Sequence, residues 1–375
     1  MRKTLALIFI LSWSAIFFMG CGSSGTSNVV TPPQSQTSKF AFLEEVAGQT
    51  NVFAPMIGKF VTTNGNTTFS AKAAVDSEGA PITGELYSIV LSSDGKKATF
   101  DMYGGLDGTS GQWDIWIANA DGSGSVTAVT NDSYEDSMPE FSPDGTKVLF
   151  TSYRLGDDEQ DHNYLVTRNL DGTGEVVLPM PPGANDTWAP TYSPDGTKIA
   201  VEVWGRDTNQ NPYEGIWVMN ADGSNPQMLT NASVLADNCL CYFDHEPRFT
   251  PDGSKIAFSE YYETVDALAE NIYTINPDGT GMTEITHTTG IINFNPAPFE
   301  IAGAGTVILF SSTQDNPQSL DNGAFELYSM KPDGSGITRL TNNTLYDAFC
   351  ADWYYGSETS AARSRMARHL NRRAR

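Results

Sequence analysis

The chain alternates short apolar runs with polar turns, and the pattern repeats. Four segments share one form: Leu91-Ser-Ser-Asp-Gly-Lys-Lys-Ala-Thr-Phe, Phe141-Ser-Pro-Asp-Gly-Thr-Lys-Val-Leu-Phe, Tyr192-Ser-Pro-Asp-Gly-Thr-Lys-Ile-Ala-Val and Phe249-Thr-Pro-Asp-Gly-Ser-Lys-Ile-Ala-Phe. Their aspartates, Asp94, Asp144, Asp195 and Asp252, are spaced by 50, 51 and 57 residues. A second Asp-Gly unit trails each, with Asp121, Asp171, Asp222, Asp278 and Asp333 in the same register. Ser-Pro-Asp-Gly suits a tight turn. Pro143 presets φ, Asp144 bonds nearby backbone, and Gly145 tolerates positive φ. The residues that follow, such as Val148-Leu149-Phe150, read as a buried strand. Ile216-Trp217-Val218-Met219 reads as a third strand and Gln227-Met228-Leu229-Thr230 as a fourth.

Four short antiparallel strands per repeat describe a propeller blade. Clear blades start near residues 91, 139, 190 and 247. A fifth starts near 296, where Gly303 and Gly305 replace the Ser-Pro-Asp-Gly turn. The segment Lys39-Phe-Ala-Phe matches a second strand without a first, and Cys350-Ala-Asp-Trp a first strand without the rest. Joined, they complete a sixth blade and remove the open sheet edges. The expected fold is an all-β, six-bladed propeller over 39–356, closed by pairing of its N- and C-terminal strands.

The unit P-x-[FY]-[ST]-P-D-G-x-K-[IV]-x-[FV] resembles the repeat of TolB-type propellers, the WD40-like PD40 family, over roughly 39–355. The resemblance implies the fold and leaves function open. TolB carries an α/β domain ahead of its propeller, whereas seventeen residues separate Cys21 from the first blade strand here.

Arg2 and Lys3 precede an apolar run, Leu5 to Met19, of signal-peptide length and too short to span a bilayer. It ends at Gly20-Cys21, which resembles a bacterial lipoprotein signal with Cys21 as the lipidated residue. The absence of Asp after Cys21 resembles outer-membrane sorting. Residues 22–38 read as a flexible tether. The expected address is the cell envelope, periplasmic or surface-exposed, with the membrane reached through the lipid anchor alone.

Charge narrows the partners. The chain has 45 Asp+Glu against 22 Lys+Arg, a formal net charge of −23. Phosphates would be repelled, so nucleic acid is excluded as a partner. Sorted by loop, many acids fall between second and third strands, including Asp101, Asp114, Asp157, Asp158, Glu159, Asp161, Glu202, Glu214, Glu260, Glu270 and Asp315. This predicts one strongly negative face. Asp136, Asp186, Asp244, His245, Glu246, Asn295 and Asp347 fall just before the first strands of successive blades. They are the candidate ligand- and partner-binding residues at the mouth of the central channel. Converging carboxylates suit a hard cation, with Asp186, Asp244 and Asp347 as candidate Ca²⁺ ligands, or a basic peptide of an envelope protein.

Trp116, Trp217, Tyr273 and Tyr328 each stand five residues before a turn aspartate and belong to the repeat. Trp113, Trp188, Trp204, Tyr261 and Tyr262 lie beside loops and form a candidate glycan platform, the alternative to protein binding. No Gly-x-Ser-x-Gly elbow is present and the four histidines form no metal-spaced pair. A prolyl-oligopeptidase-type enzyme needs a hydrolase domain beyond residue 356, and an oligogalacturonate-lyase-type propeller needs more histidines than His245. The sequence thus points to a non-catalytic binding scaffold. Cys239, Cys241 and Cys350 leave at least one thiol unpaired in any bridging scheme. The tail after Ser357 carries six arginines, a basic segment suited to anionic lipid or an acidic face.

Overall fold

The computed structural model describes residues 36–45, 53–63, 66–73, 82, 84–105, 111–121, 123, 125–206, 208–209, 211–231, 239–264, 268–301, 304–315, 325–341 and 348–350. Every regular element among them is a β-strand. Blade 1 holds β1 (Gln36–Glu45), β2 (Phe53–Thr63) and β3 (Asn66–Ala73). Blade 2 holds β4 (Leu86–Leu91), β5 (Lys97–Tyr103), β6 (Trp113–Asn119) and β7 (Thr127–Ala128). Blade 3 holds β8 (Glu135–Phe141), β9 (Lys147–Leu155), β10 (Asp161–Asn169) and β11 (Val176–Val177). Blade 4 holds β12 (Ala184–Tyr192), β13 (Lys198–Arg206), β14 (Pro212–Asn220) and β15 (Gln227–Met228). Blade 5 holds β16 (Cys239–Phe249), β17 (Ile256–Thr264), β18 (Leu268–Ile275) and β19 (Thr283–Glu284). Blade 6 holds β20 (Asn293–Ile301), β21 (Gly305–Ser312), β22 (Glu326–Met330) and β23 (Thr338–Arg339). The last strand, β24 (Ala348–Cys350), joins blade 1 in the order β24-β1-β2-β3.

Closure follows the expected pairing. Phe42 faces Cys350, Leu43 faces Phe349 and Glu44 faces Ala348, all antiparallel. Blade 1, the composite blade expected from the sequence, is thus made from both ends of the propeller. The first strands of successive blades pack on one another from β4 through β8, β12, β16 and β20 to β24, forming the inner wall.

The strands are buried on both faces because each blade is covered by two neighbours. Each of six apolar clusters fills one seam. Leu43 and Ile57 meet Leu86 and Phe100 between blades 1 and 2, and Ile117 meets Phe150 between blades 2 and 3. Leu165 meets Val201 at the third seam, Val218 meets Phe258 at the fourth and Ile272 meets Phe310 at the fifth. Phe40, Phe42 and Phe60 meet Leu309 and Leu327 at the last. A buried side chain of this size contributes on the order of 1.5–3 kcal/mol, so the seams hold the ring together.

The Ser-Pro-Asp-Gly turns have one wiring. Ser142 Oγ donates to Asp144 Oδ1 (2.6 Å), Thr146 N–H donates to the same oxygen (3.0 Å), and Lys147 N–H donates to Ser142 Oγ (3.0 Å). Asp94, Asp195 and Asp252 repeat it. Hydrogen bonding, chiefly from Ser92, holds Asp94 down to about 2. These four aspartates are structural.

Candidate functional site

A recurring irregularity marks the inner wall. The first strands of blades 3 to 6 each contain a bulge, and the residue at it has left-handed backbone: Met138 (φ 57°), Ala189 (φ 44°), Glu246 (φ 58°) and Asn295 (φ 53°). Each precedes a proline, Pro139, Pro190, Pro247 or Pro296, whose missing N–H falls where the ladder is already broken. Blade 2 has Ile89 at the proline position. It keeps the register shift, but Ser88 is not left-handed. Left-handed backbone costs a residue with a side chain roughly 1–2 kcal/mol, and such strain gathers where geometry serves a task.

Bonds between blades fix these residues. Met138 N–H donates to Asp101 Oδ2 (2.8 Å), Ala189 N–H approaches Met138 Sδ (3.2 Å) and Asn295 N–H donates to Glu246 Oε2 (2.9 Å). Trp113, Met138 and Ala189 form a small cluster of their own, with Trp188 against it.

Sequence reasoning set Asp136, Asp186, Asp244, His245, Glu246 and Asn295 just ahead of the first strands. The structure puts them inside these strands, on β8, β12, β16 and β20, and all are buried. Asp347 lies outside the described residues, as do Cys21, residues 22–35, Trp353 and the arginine-rich tail; residues 36–38, read from the sequence as the end of the tether, belong instead to β1. Cys239, Cys241 and Cys350 lie on β16 and β24.

The acids sorted to second-to-third strand loops divide. Asp157, Asp158, Glu159 and Asp161 are exposed around the β9–β10 hairpin. Asp101, Asp114, Glu202, Glu214, Glu260 and Glu270 are instead buried within β5, β6, β13, β14, β17 and β18. These strands run on past their apolar stretches, and the neighbouring blade covers the acids. The negative surface is therefore narrower than expected, with a second, buried layer of carboxylates behind it.

That layer is electrostatically unusual. Burial pushes Asp136 up to about 7, against the hydrogen bond it accepts from Ser152 Oγ. Burial likewise pushes Asp244 up to about 7, with Glu260 and Glu214 adding to it and Thr230 opposing it. Asp186 Oδ1 accepts the Asn163 backbone N–H (2.9 Å) and its Nδ2 amide (2.8 Å). Burial works against a charge on His245, but the Glu246 and Glu270 carboxylates outweigh it and hold the imidazole well above its usual pKa. Arg248 is the only Lys or Arg among the described first-strand residues. It lies 3.6 Å from Glu140 Oε2, two blades away, and donates to Pro190 O (3.3 Å). Arg154 is held by Glu175 (2.9 and 3.0 Å) and lies over the Tyr134 ring.

Among the described residues, His245, Glu246 and Glu270 form the group of histidine and acids close enough to share an ion. Glu270 was missed as a site residue. Its signal is positional: Glu214 and Glu270 each stand three residues before the repeat aromatic, Trp217 or Tyr273. Of the candidate glycan aromatics, Trp113 and Trp204 are buried.

Known proteins match this ring. A Tol-Pal system protein TolB from Anaeromyxobacter dehalogenans is 29% identical over 125 residues, 33% of this chain and 26% of that protein. The propeller is TolB-like. A TolB homolog from Chlorobium luteolum is 25% identical over 232 residues, 61% of this chain and 44% of that protein. The crystal structure of TolB from Acinetobacter baumannii shares the fold, with a TM-score of 0.55 and 16% identity over 84% of this chain and 66% of that one. No protein-family model matches the chain. The TolB-like match spans between a quarter and half the length of these curated relatives.

Proposed function

We propose that the chain is an exported, lipid-anchored, TolB-like propeller that binds a protein partner in the cell envelope without catalysing a reaction. The observation that carries this is the acid excess of the inner wall. Glu135, Asp136, Glu140, Asp186, Asp244, Glu246 and Glu300 stand on the first strands, against the single arginine Arg248. Low-dielectric walls focus such a field toward the channel mouth, where a Lys- or Arg-bearing segment gains most from it. Asp157, Asp158, Glu159 and Asp161 add exposed charge for steering. The names of the TolB relatives, proteins of a Tol-Pal system, agree with an envelope assembly. In this reading residues 1–20 are the signal peptide, Cys21 the lipidated residue, 22–35 the tether leading into β1, and the periplasmic or outer surface of the outer membrane the address.

Affinity purification of the tagged full chain from bacterial envelope extract, with and without Ca²⁺, tests the reading. A basic partner that elutes with salt and resists EDTA supports it. Recovery of oligosaccharide with no protein would replace it with glycan binding.

A further inference from the structure

Three side chains meet at the seam of blades 5 and 6, one of them, Glu246, also counted among the acids of the inner wall. His245 and Glu246 are neighbours on β16, and Glu270 stands on β18 of the same sheet. Each can offer one ligand atom such that all three atoms lie within 4.8 Å of one another. The imidazole sits between the carboxylates, with Nδ1 3.6 Å from Glu246 Oε1 and Nε2 2.9 Å from Glu270 Oε1.

Apart from the imidazole, neither of these two oxygens has a hydrogen-bond donor, and both are shut off from bulk water. Glu246 and Glu270 are each 2% exposed. Buried carboxylate oxygens without a donor are costly, and native proteins seldom leave them so. An imidazolium between two glutamates resolves this only in part, because its contact with Glu246 Oε1 is a long 3.6 Å. It would also leave one negative charge uncancelled. A divalent cation taking one ring nitrogen and one oxygen from each glutamate satisfies both oxygens and balances the two carboxylates.

The surroundings orient the set as outer partners orient metal ligands. Glu246 Oε2 accepts Asn295 N–H across the seam (2.9 Å) and faces the Ser259 hydroxyl (3.5 Å), leaving Oε1 for the cluster. Glu270 N–H donates to Ile291 O (3.3 Å), which ties the third residue to blade 6.

We propose that His245, Glu246 and Glu270 bind a divalent first-row transition ion. One nitrogen and two oxygens suit Zn²⁺ or Mn²⁺; Ca²⁺ takes six to eight oxygens. Three protein ligands leave further positions for water or for a group of a bound molecule. This set differs from the Asp186, Asp244 and Asp347 set read from the sequence.

The test titrates metal-stripped full-length protein with ZnCl₂ and MnCl₂ by calorimetry and counts retained metal by mass spectrometry after dialysis. The expected result is one ion per chain, with affinity lowered in both His245→Gln and Glu270→Gln by at least the roughly 10- to 100-fold that loss of an outer partner of a metal ligand costs. Asp278→Asn, at an exposed turn, leaves affinity unchanged. Pulsed electron paramagnetic resonance of the Mn²⁺-loaded wild type reads the nitrogen ligand directly, so the proposal stays testable if a variant fails to fold. A ¹⁴N coupling is expected. No stoichiometric ion, equal affinity in folded variants, or a manganese signal without nitrogen coupling would each overturn the proposal.

Discussion

The Asp101 carboxylate on β5 accepts the backbone N–H of Met138 on the first strand of the next blade, at 2.8 Å. Its other oxygen accepts Ser88 N–H at 2.7 Å. Ser88 and Met138 occupy the same position of consecutive repeats, six residues before Asp94 and Asp144. One buried side chain therefore ties two bulges of the inner wall together. Asp101→Ala leaves two buried N–H groups without this acceptor, each worth about 1–3 kcal/mol. Urea unfolding should show a loss of roughly 2–4 kcal/mol, and a smaller one for Asp101→Asn, which keeps one acceptor. A loss under about 0.5 kcal/mol for Asp101→Ala would contradict the staple.

Asp136 predicts a pH dependence whose sign is opposite to that of a salt-bridged carboxylate. Its folded pKa, about 7, lies above its ordinary value of 3.8, so the folded state holds the proton more tightly. The contribution is favourable at low pH and is lost as pH rises from about 4 to about 7. At 1.4 kcal/mol per pH unit, the penalty above pH 7 is at most about 4 kcal/mol. Asp136→Asn should remove it. Denaturant unfolding at pH 5 and pH 7.5 should show the variant gaining on wild type at the higher pH. An equal difference at both values would place Asp136 in a more polar setting.

Among the described residues, ring closure rests on three at the C-terminal end of the propeller. Removing residues 348–375 strips β24 from β1 and exposes the backbone edge of Phe42–Glu44. The melting temperature should fall by roughly 5 °C or more, with self-association on sizing columns. A truncated chain that melts as the full chain does would show that the seams alone close the ring.

The repeat was legible because its turns are chemically demanding. Only a few residues suit the Asp144–Gly145 turn, so its period exposes the blades and even the split one. The acids were harder to place. Asp101 and Glu270 follow or precede apolar runs and look like loop residues, yet they lie inside strands. What covers them is the first strand of the next blade or the residue leading into it, 37 residues on from Asp101 and 22 on from Glu270 along the chain. That cover is tertiary and leaves no local mark. The left-handed residues do leave one, the proline after Met138, Ala189, Glu246 and Asn295, whose meaning needs the bulge to be seen.

The central claim is that the acidic inner wall draws in a basic segment. Fluorescence anisotropy of a labelled Lys/Arg-rich peptide, titrated at pH 8 where Asp136 is mostly ionised, tests it most directly with wild type and the Asp136→Asn/Asp186→Asn variant. The account predicts saturable binding to wild type that weakens from 50 to 300 mM salt, and about tenfold weaker binding to the variant, near 1.4 kcal/mol. Failure of the peptide to bind, or equal binding by a folded variant, would contradict it.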